Sequence, residues 1–452
     1  MLQIYDTQSR VVKGVSSDSD EITIYCCGPT VYRDAHVGNL RTFLLSDLIR
    51  RTLELNGKKV NLVQNITDVG HMAEDVNPQD KMLLQAKLEQ IDPFEIARKY
   101  EEKFHTDLAL LNIKPANRYP RASESIQLMQ DLIAKLIELK NAYVGTDGTV
   151  YFAADSYPTY GAISGNKLSD LKPGHRYEYK DEGGKRFHAD WALWKIAADR
   201  TEMVWDSPWG IGFPGWHIEC SAMSLEFLGS NIDIHVGGID LRFPHHENER
   251  AQTNSVTNEE TVKLWVHGEH LLFEGRKMAK SSGNVVLLSD IAAQGFDPLS
   301  LRLCLLENRY RSQMDLTWAA ISAANATLKR WRRNGFGASS QPLADEQIVQ
   351  ALNNDLDTPR VIQRLRSIEK DTQLSLAEKS AVFTFADQVL ALDLAREIVV
   401  PDLPDELAKL LAERESARIA KNWSQSDRLR VELESAGLII NDTAEGQEWD
   451  YR

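Results

Sequence analysis

The strongest constraint on this chain lies between residues 22 and 66. ITIYCC (22–27) reads as a short buried strand. A Gly28-Pro29 turn and HVGN (36–39) follow, and LRTFLLSDLIRRTLEL then carries a helical pattern ending at Asn56-Gly57, a C-cap sequence. KVNLVQNI reads as a second strand. Strand, helix and strand in about 45 residues make a βαβ unit, which implies a parallel sheet with helices on its faces. Such sheets bind ligands at the carboxyl ends of strands near a switch point. Cys27 stands at that end of the first strand, and HVGN opens the helix behind it. NIDIHVGG (231–238) and VKLWVHG (262–268) read as further strands of the same sheet.

Between the two halves the pattern is mostly helical from Met72 to about Leu139, with a hairpin around Asp147-Gly148 and a polar, glycine-rich surface loop in KPGHRYEYKDEGGKRF (172–187). This middle section reads as an insertion. Beyond Gln294 the chain is largely helical. Thr358-Pro359 opens one helix as N-cap and first residue, and Pro401 and Pro404 bracket a linker. The last fifty residues read as one long charged helix and an irregular tail. At 452 residues several domains are expected.

Composition narrows the class of function. No apolar run approaches the length of a membrane span, and MLQIYDTQSRVVKG lacks the pattern of a signal peptide. Four scattered cysteines argue for a reducing compartment, so a cytoplasmic, membrane-free protein is expected. A net charge of −14 speaks against indiscriminate nucleic-acid binding, though not against a local basic stripe. Two stripes stand out. Lys329, Arg330, Arg332 and Arg333 surround Trp331, and Arg414, Arg418 and Lys421 are spaced to share one helix face. Taken alone, either reads as a solvated helix surface.

Candidate metal ligands are few: Cys26, Cys27, Cys220, His235 and the cluster FPHHENE (243–249). His245 and Glu249 are four apart and share a helix face, whereas His246 is turned aside by roughly 100°. Without a C-x-x-C the spacing leaves a metal site and structural roles both open. HVGN combines Gly38, which lets backbone approach closely, with a helix N-terminus and His36, which can donate to a phosphate. GRKMAKSSGN brings Lys277 and Lys280 beside serine hydroxyls, a pattern suited to a clamp on polyphosphate, although taken alone it reads as a solvated loop.

Taken together these stretches are more specific. HVGN and KMAKS resemble the HIGH and KMSKS signatures of class I aminoacyl-tRNA synthetases. YCCGPTVYRDAHVGNLRTF, NITDVG, DSPWGIGFPGWHIECSAMS, IDIHVGGIDLRFPHHENERAQ, YRSQMDLTW and the tail AKNWSQSDRLRVELESAGLIINDT resemble the cysteinyl-tRNA synthetase family over essentially the whole chain. The resemblance implies an α/β fold. A split Rossmann-like catalytic domain (1–120 and 205–293) carries a connective insertion (121–204) and is followed by a stem-contact region (294–320). A helical bundle (321–400) and a small anticodon-binding domain (401–452) complete it. It further implies one zinc ion on Cys27, Cys220, His245 and Glu249, with no such role for Cys26. That zinc takes the substrate cysteine thiolate. The physics agrees: zinc favours sulfur, and a serine hydroxyl is a far poorer ligand.

By the same resemblance Gly28, Thr30, Thr67, Trp216 and His235 surround the amino acid, while His36, Gly38, Asn39, Lys277 and Lys280 serve ATP, accompanied by Mg²⁺. The implied activity is a cysteine–tRNA ligase. It forms cysteinyl-adenylate and pyrophosphate, then charges the terminal adenosine of a cysteine-accepting tRNA, as a monomer. Arg414, Arg418, Lys421 and a stacking Trp423 or Trp449 become candidate tRNA contacts. Three departures stand out: Asn39 replaces the second histidine of HIGH, Ala279 the first serine of KMSKS, and NITDVGHM the more usual acidic continuation. The rival reading is a mycothiol-type cysteine ligase, which makes the same adenylate for an amino-sugar acceptor. Those enzymes resemble only the catalytic part, so the matching tail favours tRNA.

Overall fold

A computed structural model describes residues 1–70, 80–171, 184–278, 284–397, 403–443 and 446–451. The chain forms two compact units, Met1–Arg396 and Glu397–Arg452. The first is built on a four-stranded parallel sheet in the order Val262–Gly268, Ile232–Gly238, Glu21–Cys26, Lys59–Gln64. Two crossovers leave its centre in opposite directions. Helix Val37–Leu55 leads outward to Lys59–Gln64, and helix His245–Thr257 leads to Val262–Gly268. The switch point therefore falls between the adjacent strands ending at Cys26 and Gly238.

Alternation along the first strand separates the two neighbouring cysteines. Ile22, Ile24 and Cys26 enter one core with Leu40 and Phe43 of the Val37–Leu55 helix. Tyr25 and Cys27 enter the other, with Ile218, Cys220 and Met223. Side chains two apart share a sheet face and adjacent ones do not. Cys26 is thus a packed thiol, its pKa pushed up to about 12 by burial, while Cys27 faces the helices of the second half.

Between Lys59–Gln64 and Ile232–Gly238 the chain forms helices Lys81–Glu89, Pro93–Leu110 and Ile126–Glu138 and an antiparallel sheet of Ala142–Val144, Val150–Phe152, Trp191–Ile196 and Gly212–Pro214. The expected hairpin around Asp147-Gly148 is its first pair, with Gly148 at φ +84°. Most of the loop expected at 172–187 lies outside the described residues. From Gly215 the chain enters helix Trp216–Leu228, which packs beside His245–Thr257. Helices Trp318–Arg333, Glu346–Asn353, Thr358–Lys370 and Leu376–Leu390 continue the core of the sheet's first face. Asp357, not Thr358, caps the third of these, which moves Pro359 to the second helical position.

The second unit corrects the reading of its sequence. Helix Asp405–Ile419 stops at Ala420, a second helix runs Trp423–Ser435, and the supposed tail is a hairpin of Leu438–Thr443 with Gly446–Tyr451. Lys421 takes the left-handed conformation at φ +56° between the helices, so one continuous face carrying all three cations does not exist. Leu411, Leu433, Leu438 and Ile440 form its core. Pro401 lies outside the described residues.

Candidate active site and buried metal centre

Cys27 is the first residue beyond its strand, and helices Trp216–Leu228 and His245–Thr257 converge on it. Its Sγ stands 3.8 Å from Cys220 Sγ and 3.5 Å from Glu249 Oε1, which is 2.9 Å from His245 Nε2. All four side chains are at most 4% exposed. Their ligand atoms lie within 4.8 Å of one another, a group that could hold a metal ion.

A second, overlapping group shares Cys27 and Glu249 but substitutes His235 and His246. His246 Nε2 reaches to 3.3 Å from Cys27 Sγ and His235 Nε2 to 3.4 Å. The helical-wheel expectation that His246 turns aside is therefore overturned. The helix meets the cluster at its own first turn, where neighbouring side chains converge. His246 Nδ1 pairs with His267 Nε2 at 2.8 Å, and His267 Nδ1 with Thr7 Oγ1 at 2.8 Å. His245 Nδ1 meets His217 Nδ1 at 2.9 Å.

The donor set fits a soft cation. Burial holds the His235 and His246 imidazoles far below their usual range, so both are neutral. Burial also lifts the Glu249 carboxyl well above its own range. Its Oε2 is buried without a hydrogen-bond partner among the described residues. Burial and Cys220 raise the Cys27 thiol, whereas Cys220, raised by burial, is brought down to about 7 by the hydrogen bond from Cys27 and by His245. An uncompensated carboxylate here is costly, and a cation removes that cost. The two overlapping groups share Cys27 and Glu249; the first adds Cys220 and His245, the second His235 and His246, so the first offers two thiols and the second one.

The residues expected around the amino acid gather beside this centre. Thr30 and Thr67 bridge, Thr67 Oγ1 donates to Glu219 Oε2 at 2.8 Å, and Trp216 stacks on His245 with centroids 4.2 Å apart. His235 is pressed between Trp265, stacked at 4.5 Å, and Tyr25 at 5.0 Å, its partners across the sheet. Sequence reasoning missed Asn65. Its Oδ1 accepts from Gly28 N at 2.8 Å and lies 3.6 Å from Cys220 Sγ, and its Nδ2 donates to Thr67 Oγ1 at 3.1 Å. A Cβ at Gly28 would sit 1.6 Å from the Asn65 carbonyl oxygen, which explains the glycine. His217, His267 and Glu219 were also missed.

His36 caps the Val37–Leu55 helix. Its Nδ1 accepts from Asn39 N at 3.2 Å, and Asn39 Oδ1 accepts from His36 N at 3.2 Å. A neutral ring that accepts at Nδ1 carries its proton at Nε2, leaving a donor there. Burial and then Arg33 lower the His36 pKa, which favours that neutral form. The strand Leu271–Phe273 turns at Glu274-Gly275, both at positive φ, into Arg276–Lys277, a tight hairpin ending at an exposed Lys277. Lys280 and Ala279 lie outside the described residues.

The basic stripes are less free than their spacing suggests. Trp331 is buried, Arg332 pairs with Asp297, and Arg330 with Glu369. Arg414 is 1% exposed and pairs bidentately with Asp442, so it is removed from the exposed stripe. Arg418 pairs with the same aspartate. Trp449 packs against the hairpin core, while Trp423 is 58% exposed.

Comparison with known proteins identifies the family. Residues 14–326 match the family described as tRNA synthetases class I (C) catalytic domain, and residues 400–449 match the cysteinyl-tRNA ligase anticodon binding domain. The chain is 39% identical to a cysteine–tRNA ligase of Thermus thermophilus, covering 99% of each. It is 38% identical to one of Chlamydia caviae, covering 98% of this chain and 97% of that one. The methionyl-tRNA synthetase of Mycobacterium tuberculosis in complex with methionyl-adenylate is similar in fold (TM-score 0.54, 14% identity, covering 82% of this chain and 90% of that one). So is an Agrobacterium radiobacter LeuRS (TM-score 0.60, 11% identity, covering 83% and 84%). Two family matches that between them span most of the chain, and full-length relatives, lead to one conclusion: the chain belongs to the class I cysteinyl-tRNA synthetases and is a cysteine–tRNA ligase.

Proposed function

We propose that cysteine is selected at a zinc ion held by Cys27, Cys220, His245 and Glu249, and is activated there with ATP before transfer to tRNA. The observation that carries this reading is the convergence of four buried donors at the switch point of the sheet. When bound, the metal supplies a soft Lewis acid that favours a substrate sulfur over the hard hydroxyl of serine. Gly28, Thr30, Thr67, Trp216 and His235 orient the amino acid, so that its carboxylate points toward the nucleotide.

Adenylate formation needs no protein nucleophile. The substrate carboxylate attacks the α-phosphate and pyrophosphate leaves, so the chain contributes position and charge. His36 Nε2–H and the start of its helix meet the phosphates, with Gly38 clearing space and Asn39 fixing the imidazole. Lys277, and Lys280 beyond it, neutralise charge on the departing pyrophosphate, and Mg²⁺ travels with ATP. The second unit then holds the anticodon arm, with Arg418, Lys421 and Trp423 as its contacts.

The test is charging of cysteine-accepting tRNA by wild type and Cys27→Ala, with serine as competitor and bound zinc measured in both. Charging that ignores serine, and that is lost with the zinc in the variant, is the expected result. Retained zinc and intact discrimination in Cys27→Ala would rule the reading out.

A further inference from the structure

One buried cation has no part in the reaction described above. Arg41 lies on the Val37–Leu55 helix, five residues beyond His36, and is 5% exposed. Among the described residues no carboxylate forms an ion pair with it, and its direct partners are carbonyls. Its Nη1 donates to the carbonyls of Glu269 (2.8 Å) and His270 (3.0 Å), and its Nη2 to those of Arg309 (3.0 Å) and Ser312 (2.8 Å). A guanidinium can serve four carbonyls at once because its donors lie in a planar fork, which an ammonium lacks. Burial lowers its pKa to about 10, with Glu269 acting in the opposite sense, so it remains a cation at neutral pH.

The four carbonyls belong to two segments with one common destination. Glu269 and His270 lead directly into Leu271–Phe273, and Ser312 stands two residues before Met314–Leu316. These strands pair in parallel, and Leu271–Phe273 is also the strand against which Arg276–Lys277 folds back. The 309–312 segment is braced from its other side, where Tyr310 OH and Arg311 Nε donate to Asp355 at 2.6 and 2.5 Å and Arg309 pairs with Asp357. At the far end of the lysine-bearing stretch, Val37 N donates to Val286 O at 3.0 Å, and His36 bridges Leu287. One helix start thus meets two described segments: Arg41 holds the carbonyls that lead into Leu271–Phe273, and His36 and Val37 meet Val286 and Leu287.

We infer that Arg41 is a positioning residue for adenylate formation, clamping the small sheet that carries Lys277 in register with the helix start that carries His36. The inference rests on the reading of Lys277 as a triphosphate contact. It separates Arg41 from a purely structural residue, because its effect should pass through Lys277 and leave cysteine binding alone.

Arg41→Met, Arg41→Lys, Lys277→Ala and the double variant Arg41→Met/Lys277→Ala would be compared as full-length protein. ATP–pyrophosphate exchange is followed over ranges of ATP and cysteine, alongside equilibrium cysteine binding and thermal midpoint. Arg41→Met is expected to lower kcat for exchange about 10- to 100-fold, the scale of a misplaced group near the chemistry. Cysteine affinity should stay within about twofold, and Arg41→Lys should fall between Met and wild type. In the Lys277→Ala background the Met substitution should add little. Equal losses of cysteine affinity and kcat, or fully multiplied effects in the double variant, would overturn the inference. Should Arg41→Met fail to fold, Arg41→Lys alone and combined with Lys277→Ala answers the same question. An unaltered exchange rate in Lys277→Ala would remove the Lys277 reading itself, and Arg41's role with it.

Discussion

Asn65 ties together the Gly28 amide, the Thr67 hydroxyl and the Cys220 thiol. Replacing it with alanine leaves the Gly28 N–H without its acceptor beside a buried centre. Asn65→Ala is therefore expected to cost about 1–3 kcal/mol in denaturant unfolding and to raise KM for cysteine several-fold, with KM for ATP unchanged. An unchanged cysteine KM would mean that the loop keeps its shape without the amide. At this scale the sequence was only partly readable. Ligand-type side chains mark themselves as candidates, but Cys26, His235 and His246 qualified as well as Cys27, Cys220, His245 and Glu249. Only the family resemblance picked out the last four, whose donors the structure brings together in one of two overlapping groups. An asparagine announces nothing, and His246 was misplaced because helical spacing fixes angles around an axis, not the direction from which a helix meets its neighbour.

Helices are joined in this protein by buried charge as well as by apolar packing. Arg302 is fully buried and donates to Asp47 (2.6 Å) and to the carbonyls of Leu111 (2.8 Å) and Leu390 (2.5 Å), linking three helices around the sheet's first face. Removing one partner of such a pair strands the other. Arg302→Leu is expected to destabilise the chain by about 3–5 kcal/mol, read from chemical denaturation of the full-length protein. Asp47 also accepts from Arg51 Nε at 2.8 Å, and a loss below about 1 kcal/mol would show that this pair alone satisfies it. Helix Pro93–Leu110 carries a different charge problem. Burial, and then the neighbouring Asp34, raise the Asp107 pKa to about 6. A carboxyl raised on folding favours its protonated form in the native state. Its stabilising contribution is full below the unfolded value near 4 and is lost as pH rises through about 6. Asp107→Asn should accordingly raise the thermal midpoint at pH 8 and flatten its dependence between pH 4 and 7. An unchanged profile would place that titration elsewhere. Neither feature can be read from spacing, because each depends on residues distant in sequence arriving at one place. The βαβ strands and the Asn56 cap were legible because their signals are local. The two helices and hairpin of the second unit were not, since a charged helix broken at Lys421 keeps its periodic composition while its backbone turns.

At the scale of the whole molecule, the residues assigned to activation all fall in Met1–Arg396 and the proposed anticodon contacts in Glu397–Arg452. The chain carries a net charge of −14, so a polyanion must be met by local cations and by stacking. In the second unit the two kinds of basic residue should behave differently. Arg414, buried and paired with Asp442, holds helix Asp405–Ile419 to the hairpin. Arg414→Ala should lower the unfolding midpoint of this unit in hydrogen exchange. Lys421 and Trp423 stand exposed at the turn between its helices. Lys421→Ala and Trp423→Ala should leave pyrophosphate exchange untouched and raise KM for tRNA, by roughly tenfold for the tryptophan if one base stacks there. The lysine variant should also reduce the slope of log KM against log salt by about 0.7–0.9, the signature of one lost phosphate contact. A tRNA KM that ignores both substitutions would move the anticodon contacts to another face of this unit. A change in exchange would instead show that the second unit reaches into activation, and that the division of labour between the two units is not the one drawn here.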